Sequence, residues 1–298
     1  MTLAIRSARR DDKKRILEIS AQIWDGGDYV PSVFDSWVDD ADSELAVAEQ
    51  DGLVIAFARR GWLVPGYAWL QGIRSDPAHR GHGAGRAITE HFIAQARREG
   101  ADTIGLSTYI DNEASIHIIE SYGFRRVAAF VLAEAEEIGP EEAGPAASNA
   151  VTVGSERAIS FIRSSMWHRI ANGHYPWDWS VYPFDRAPER AIDHTPFKLA
   201  VVEDGRIRSL LCTSPQQATG ETTFLSFLDG DPGDFTALLA RARRELKPTA
   251  WATMIPRNGE RKPPAHEFLL SAGLKPWMDG SEDVFAYELD LASESSDA

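Results

Sequence analysis

The chain contains one cysteine, Cys212, set in an apolar run. A single thiol excludes an internal disulfide framework and a cysteine-built metal site, and its surroundings point to a buried structural group. Basic residues are outnumbered: 31 lysines and arginines face 45 aspartates and glutamates, leaving a net charge of −14. That balance argues against nucleic acid as a partner, which calls for a basic face, and against an anionic membrane surface. No apolar run approaches the roughly 18 residues needed to cross a bilayer. Met1 to Arg10 is polar, unlike an export signal. The expectation is a soluble, cytoplasmic protein, monomeric or homodimeric. Two phosphate-binding signatures are also missing: no Gly-x-Gly-x-x-Gly order and no Gly-Lys-Ser/Thr are found. His168 and His174 lack the i, i+4 spacing of a helical ligand pair, so no metal is expected.

What is present suffices for two cores. The 298 residues are 43% hydrophobic, and that length suits two domains of ordinary size. The stretch 76–86, Asp-Pro-Ala-His-Arg-Gly-His-Gly-Ala-Gly-Arg, organises the first half. An apolar run from Gly66 to Ile73 reads as the strand entering it. Ile88, Phe92, Ile93 and Ala96 mark one face of the helix leaving it, with Gly100 at the C-cap position. Strand, glycine-rich turn and helix together aim free backbone N–H groups and a positive dipole end at an anion. Gly83 and Gly85 allow close approach, and Arg80 and Arg86 add charge; a plain tight connection is the alternative.

Around this stretch the coarse pattern is β-α-α-β-β-β-α-β-α-β. Leu3 to Arg6 opens it. A helix capped by Asp11 or Asp12 carries Ile16, Ile19 and Ile23 and ends near Trp24. Pro31 begins a second helix with Phe34, Trp37 and Val38 on one side. Gln50-Asp51-Gly52 joins two strands as a hairpin, Leu45 to Glu49 and Leu53 to Ala58. Thr103 to Tyr109, a helix to Ser121 and a last strand, Arg126 to Ala133, complete the half. Arg80-x-x-Gly83-x-Gly85 directly after the strand and Asp76-Pro77 resembles motif A of the GCN5-related (GNAT) N-acetyltransferases. Asn112-x-x-Ser115 through Gly123-Phe124 is similar to that family's second signature.

The resemblance covers about residues 1–135 and implies acetyl-CoA as acyl donor. It places Ile73, Arg74 and Ser75 along the pantetheine arm. Arg80, Gly81, His82, Gly83, Ala84, Gly85 and Arg86 would surround the pyrophosphate, and Asn112 would bond the pantetheine near its end. Transfer to an amine needs one group to take a proton and one to protonate the thiolate. The family's usual tyrosine position is Ile119 here, and its frequent glutamate is Gln71. Gln71 and Trp69 then line the acceptor site without acid–base work. The candidates left are Asp28, on the segment that usually covers the acceptor, and Tyr122; a solvated turn residue and a packing residue are the respective alternatives. Positioning alone supplies much of the acceleration, with water carrying protons.

The second half repeats the first in outline. Leu199 to Ile207 echoes Ala46 to Val54, Thr222 to Leu228 stands for the central strand, and Phe235, Leu238, Leu239 and Leu246 mark a helix. Trp251 to Met254, Phe268 to Leu274 and Val284 to Leu289 close the set. Its turn, Asp229-Gly230-Asp231-Pro232-Gly233-Asp234, offers three carboxylates and no arginine, which would repel a pyrophosphate. The expected fold is therefore α/β (α+β): two GNAT-like domains, each a mixed, mostly antiparallel sheet flanked by helices. The divisions are a catalytic domain over 1–137, a linker over 138–150, a degenerate domain over 151–292 and a polar tail over 293–298. The aromatic segment Trp167 to Phe184 is either a wall of the acceptor pocket or interdomain surface, or a well-packed helix and loop.

Residues 23–37, Ile-Trp-Asp-Gly-Gly-Asp-Tyr-Val-Pro-Ser-Val-Phe-Asp-Ser-Trp, look like a segment of the vertebrate histidine N-acetyltransferase group. That implies a small-molecule acceptor, the α-amine of a free amino acid, with Asp28 and Tyr29 meeting its ammonium group. Two rivals stand beside this reading: a non-catalytic acyl-CoA sensor and an interaction scaffold.

Overall fold

The computed structural model describes residues 3–138, 149–215, 221–279 and 281–292, in two compact units. Most of the linker and the whole tail expected from the sequence lie outside the described residues. Unit 1 comprises Met1–Thr108, Asn112–Arg125 and Tyr287–Ala298, and unit 2 comprises Tyr109–Asp111 and Arg126–Ala286.

In unit 1 the order is β1 (Leu3–Ser7), α1 (Lys13–Ser20), α2 (Val30–Asp39), β2 (Glu44–Gln50), β3 (Leu53–Val64), β4 (Tyr67–Ser75), α3 (Ala84–Arg98), β5 (Thr103–Tyr109) and α4 (Glu113–Ser121). The sheet runs β1-β2-β3-β4-β5, antiparallel throughout except for the parallel β4–β5 pair. Asp51 and Gly52 both take positive φ, the conformation of a tight hairpin turn, so Asp-Gly does here what its chemistry suggests. Ile16 and Ile19 of α1 and Phe34 and Trp37 of α2 pack on Val47 and Phe57 of the sheet. Ile88, Phe92, Ile93 and Ala96 of α3 are likewise buried. The first helix ends at Ser20, earlier than its apolar spacing suggests, because Trp24, Asp25 and Gly26 turn into positive φ. Asp12 does not cap it. Its carboxylate accepts instead from the Arg9 amide at 2.7 Å and from Arg6.

Unit 2 contains β6 (Arg125–Ala135) from its second residue, β7 (Ala150–Thr152), α5 (Ser155–Ser164), α6 (Met166–Ile170), β8 (His174–Trp177), β9 (Ser180–Pro183) and α7 (Pro188–Asp193). There follow β10 (Phe197–Glu203), β11 (Arg206–Pro215), β12 (Thr222–Gly230), α8 (Pro232–Leu246), β13 (Ala250–Pro256), α9 (Ala265–Ser271), β14 (Lys275–Pro276) and the start of β15 (Val284–Asp290). Its sheet runs β6-β13-β12-β11-β10-β7, with β12 and β13 the one parallel pair along that path. The plan of unit 1 recurs. An Asp204-Gly205 turn at positive φ joins β10 to β11, and α8 follows the central strand as α3 does, each helix 15 residues long. The mixed α/β class expected from the sequence is the one observed.

One arrangement differs from the sequence reading. The strand read as the last of the first half, β6, pairs with β13 in unit 2 from Trp251↔Ala135 to Pro256↔Phe130. Residues from Tyr287 on, read as closing the second half, belong to unit 1. There the Leu291 amide donates to the Asp102 carbonyl at 2.8 Å, and the Tyr287 hydroxyl donates to Glu120 at 3.1 Å. Apolar patterning identifies a strand, but both strands carry the same pattern, and only long-range pairing selects the sheet.

The aromatic segment is core. Trp167, Tyr175, Tyr182 and Phe184 are fully buried, with Trp167 and Tyr175 against Phe227 of β12. Burial drives the Cys212 thiol up to about 12, which makes it inert as a nucleophile. Among the described residues no helix is long and apolar enough to cross a membrane.

Asp283, fully buried in unit 2, accepts from the Leu132 amide at 2.8 Å. Burial outweighs that bond and pushes its carboxyl from 3.8 up to about 6. Between those values the folded chain holds a proton that the unfolded chain has lost, so this group's contribution falls as pH rises from about 4 to about 6. Asp283→Asn removes it. In denaturant melts the variant should gain on the parent protein across that window, reaching roughly 2–3 kcal/mol at pH 7. A parent–variant difference independent of pH would refute the assignment.

Candidate active site

β4 changes character halfway along. Its parallel pairing with β5 stops at Leu70↔Leu106. On its other side, Phe57 pairs with Arg74 and Arg59 with Gln71, so Gly72 and Ile73 together oppose Ala58 alone. This is a β-bulge, and it bends the strand away from its neighbour. Gly72 makes it possible, for two reasons. Its φ is +65°, and a Cβ there would come within 2.8 and 2.9 Å of the Trp37 ring. From the bulge onward β4 carries Ile73, Arg74 and Ser75, with β3 on one side and no β5 pairing on the other.

The chain then turns at Asp76. Its buried carboxylate accepts from the Ala78 amide at 2.9 Å and from His79 Nδ1 at 2.9 Å, and it pairs with Arg15 of α1. Burial alone would raise its pKa, but these three partners win and hold the carboxyl below its ordinary value. The loop that follows is exposed at Arg80, Gly81, His82 and Gly83. Gly81 and Gly83 have φ of +81° and +80°, and a methyl group on either would meet nothing within 4 Å, so conformation rather than crowding requires glycine there. Gly85 has an ordinary φ and only Ile118 at 3.7 Å.

Gly83 is the N-cap of α3 and has no side chain to offer, so the first amides of the helix, from Ala84 to Arg86, lack a side-chain cap. The matching helix of unit 2 is closed. Asp231 caps α8 by accepting from Gly233 at 2.8 Å. Asp234 is held low by its hydrogen bonds with Arg208, burial opposing, and with Ser209. Carboxylates of the chain itself thus fill the anion position that α3 leaves open.

The sequence candidates fall into three groups. Arg80 through Arg86 surround the α3 N-terminus, with Arg86 bonded to Ser121 at 3.1 Å. Asn112 stands at the N-cap position of α4 without a side-chain cap bond, and its side chain donates instead to Thr108 at 3.2 Å, at the end of β5. Tyr122 stands beside α3 instead of at the bulge: its ring lies 5.7 Å from the Arg86 guanidinium and its hydroxyl donates to the Arg86 carbonyl at 3.4 Å. Ile119 is buried core.

At the bulge sits Asp28, its side chain 1% exposed and both oxygens bound by Arg74, at 3.0 and 3.3 Å. A carboxylate clamped this way anchors a guanidinium. The Arg74 guanidinium lies 4.6 Å from the Trp24 ring and 5.7 Å from Tyr29. Tyr29 meets Trp37 edge-on at 5.8 Å, and Arg59 covers Trp37 at 5.4 Å while pairing with Asp40 at 2.6 Å. Rings and guanidinium groups therefore form a contiguous row at the bulge: Trp24, Arg74, Tyr29, Trp37 and Arg59. Gln71 is the register partner of Arg59. Sequence reading did not single out Arg15, Arg59 or the Asp28–Arg74 pair. Arg59 interrupts an apolar strand, which is a usable signal, whereas Arg15 is one polar position among several on its helix.

Unit 1 thus joins a bulged strand parting from its parallel neighbour, a glycine turn and a helix start without a side-chain cap. Residues 10–124 match the acetyltransferase (GNAT) family, and the chain carries a GNAT acetyltransferase domain. It is 36% identical over 88 residues to a histidine N-acetyltransferase of Xenopus tropicalis, 29% of this chain and 27% of that one. It is 37% identical over 75 residues to the [ribosomal protein bS18]-alanine N-acetyltransferase of Escherichia coli, 25% of this chain and 50% of that one. The matches thus span half or less of these relatives. Two solved structures share the fold along nearly the whole chain. One is a GCN5-related N-acetyltransferase from Sphaerobacter thermophilus, with TM-score 0.64, 13% identity and coverage of 97% and 96%. The other is a tandem GNAT protein from the clavulanic acid biosynthesis pathway, with TM-score 0.57, 14% identity and coverage of 97% and 99%.

Gly72→Ala should cost roughly 2–4 kcal/mol in a denaturant melt, from left-handed strain plus overpacking against Trp37. Gly85→Ala, with free space and an ordinary φ, should stay within about 0.5 kcal/mol of the parent or gain slightly from helix propensity. Equal effects of the two substitutions would contradict the bulge assignment.

Proposed function

We propose that unit 1 binds acetyl-CoA and transfers its acetyl group to the primary amine of a small molecule, a free amino acid being the favoured class. The α3 N-terminus, without a side-chain cap, after the bulged end of β4 that no longer pairs with β5 carries this reading. In it, the amides from Gly81 to Arg86 bind the pyrophosphate, with Arg80 and Arg86 supplying charge. The pantetheine lies against Ile73, Arg74 and Ser75, an added strand beside β4, and Asn112 bonds near its end. The activities of the two relatives, one toward histidine and one toward an alanine of a ribosomal protein, support an α-amine acceptor. The carboxylates at α8 support a single site per chain.

The amine nitrogen attacks the thioester carbon, the C–S bond breaks and the electron pair leaves on sulfur. The nitrogen's proton passes to solvent and the thiolate takes one up. With Ile119 and Gln71 at the usual acid and base positions, and Asp28 held by Arg74, orientation of the amine against an already reactive thioester supplies the acceleration.

The test is acetyl-CoA titration by calorimetry together with thiol release over a panel of amino acids and polyamines. Arg80→Glu and Arg86→Glu should each weaken acetyl-CoA binding about tenfold or more, whereas Asp231→Ala should leave it unchanged. Binding without thiol release from any amine would favour the acyl-CoA sensor, for which the buried Ile119 speaks. Absence of binding would sink the reading.

A further inference from the structure

Two arginines stand at the bulge, and their guanidinium groups are satisfied to different degrees. Arg74 bonds both oxygens of Asp28. Arg59 bonds Asp40 through Nη2 alone, at 2.6 Å. That carboxylate is shared, because it also accepts from the Ser43 hydroxyl at 2.7 Å and from the Asp42 amide at 3.1 Å. The Arg59 Nε is buried and has no acceptor among the described residues. A charged donor stripped of water and left unbonded gains more from a carboxylate than a hydrated one does. The side chain stays 17% exposed, so an outside group can reach it.

Its position suits one kind of ligand. Trp37 lies 5.4 Å from the guanidinium, and Gly61 leaves it room along the strand, since a Cβ there would come within 2.9 Å of Nη1. The register partner of Arg59 on β4 is Gln71, half-buried and one residue before Gly72. With the pyrophosphate beyond Ser75, the pantetheine runs back along β4 and its thioester reaches the bulge. Successive residues of a strand are roughly 3.3 Å apart, and an α-amino acid carries its nitrogen two bonds from the carboxylate carbon. A carboxylate on Arg59 therefore sets an α-amine at the bulge, whereas an amine at the end of a long side chain would overshoot it.

Building on the acetyl-transfer reading above, we infer that Arg59 anchors the carboxylate of an α-amino acid acceptor, with Gln71 beside it, and so selects amino acids over simple amines. Calorimetric titrations into the CoA-saturated protein compare histidine with histamine and alanine with ethylamine, pairs that differ only in the carboxylate. In at least one pair the amino acid should bind about tenfold tighter or more, the size of a charge-assisted hydrogen bond. Arg59→Gln should erase that difference. Asp40→Asn removes the competing carboxylate and should keep or widen it. Cooperative denaturant melts report that each variant is folded. No discrimination in either pair, or discrimination surviving in Arg59→Gln, would overturn the inference. So would its loss in Asp40→Asn, because the ion pair would then act only by shaping the strand. Carboxylate-selective binding with no thiol release leaves Arg59 its role and counts against acetyl transfer, while equal thiol release from all four compounds does the reverse.

Discussion

Everything at the site depends on one strand being unable to stay straight. Gly72 sits at positive φ with the Trp37 ring where a methyl group would be, so β4 must bulge there. Sheet hydrogen bonding to β5 cannot continue through such a bend. Beyond it β4 keeps its pairing with β3 but has none with β5, and a strand edge of that kind suits an extended ligand. The same bend carries Arg74 under Trp24 and Tyr29, and it delivers the chain to Asp76, whose bonds to Arg15, Ala78 and His79 fix the turn into α3.

Two helices of equal length in equivalent settings show how little separates an open helix end from a closed one. At α3 the cap is glycine, and the amides are left uncapped by any side chain. At α8 the cap is Asp231, and Asp234, paired with Arg208, fills the rest of the corner from within the chain. Hydrogen-bonding groups at a helix start must find partners, and the identity of one or two side chains decides whether those come from the chain or from outside.

Most of the fold was legible because its signals are local. Asp51-Gly52 and Asp204-Gly205 turn as their chemistry demands, and the periodicity of Ile88, Phe92 and Ile93 gives α3 its buried face. The glycine loop was equally readable. What escaped depends on distance along the chain. Asp28 looked like a solvated turn residue or a base, and only the meeting with Arg74, 46 positions away, makes it a buried anchor. Tyr122 could not be placed from spacing alone, because its partner lies on α3. The assignment of β6 to unit 2 needed the pairing with β13, which no window of sequence contains.

That exchange has a consequence for how the molecule comes into being. Unit 1 includes residues from Tyr287 on, and Glu288 accepts from the Tyr67 hydroxyl at 2.9 Å while Leu291 bonds Asp102. A chain emerging from the ribosome exposes the glycine loop, α3 and β5 long before those residues exist. The half that is made first is therefore finished last, and a chain cut before Tyr287 lacks the Glu288 and Leu291 contacts that complete unit 1.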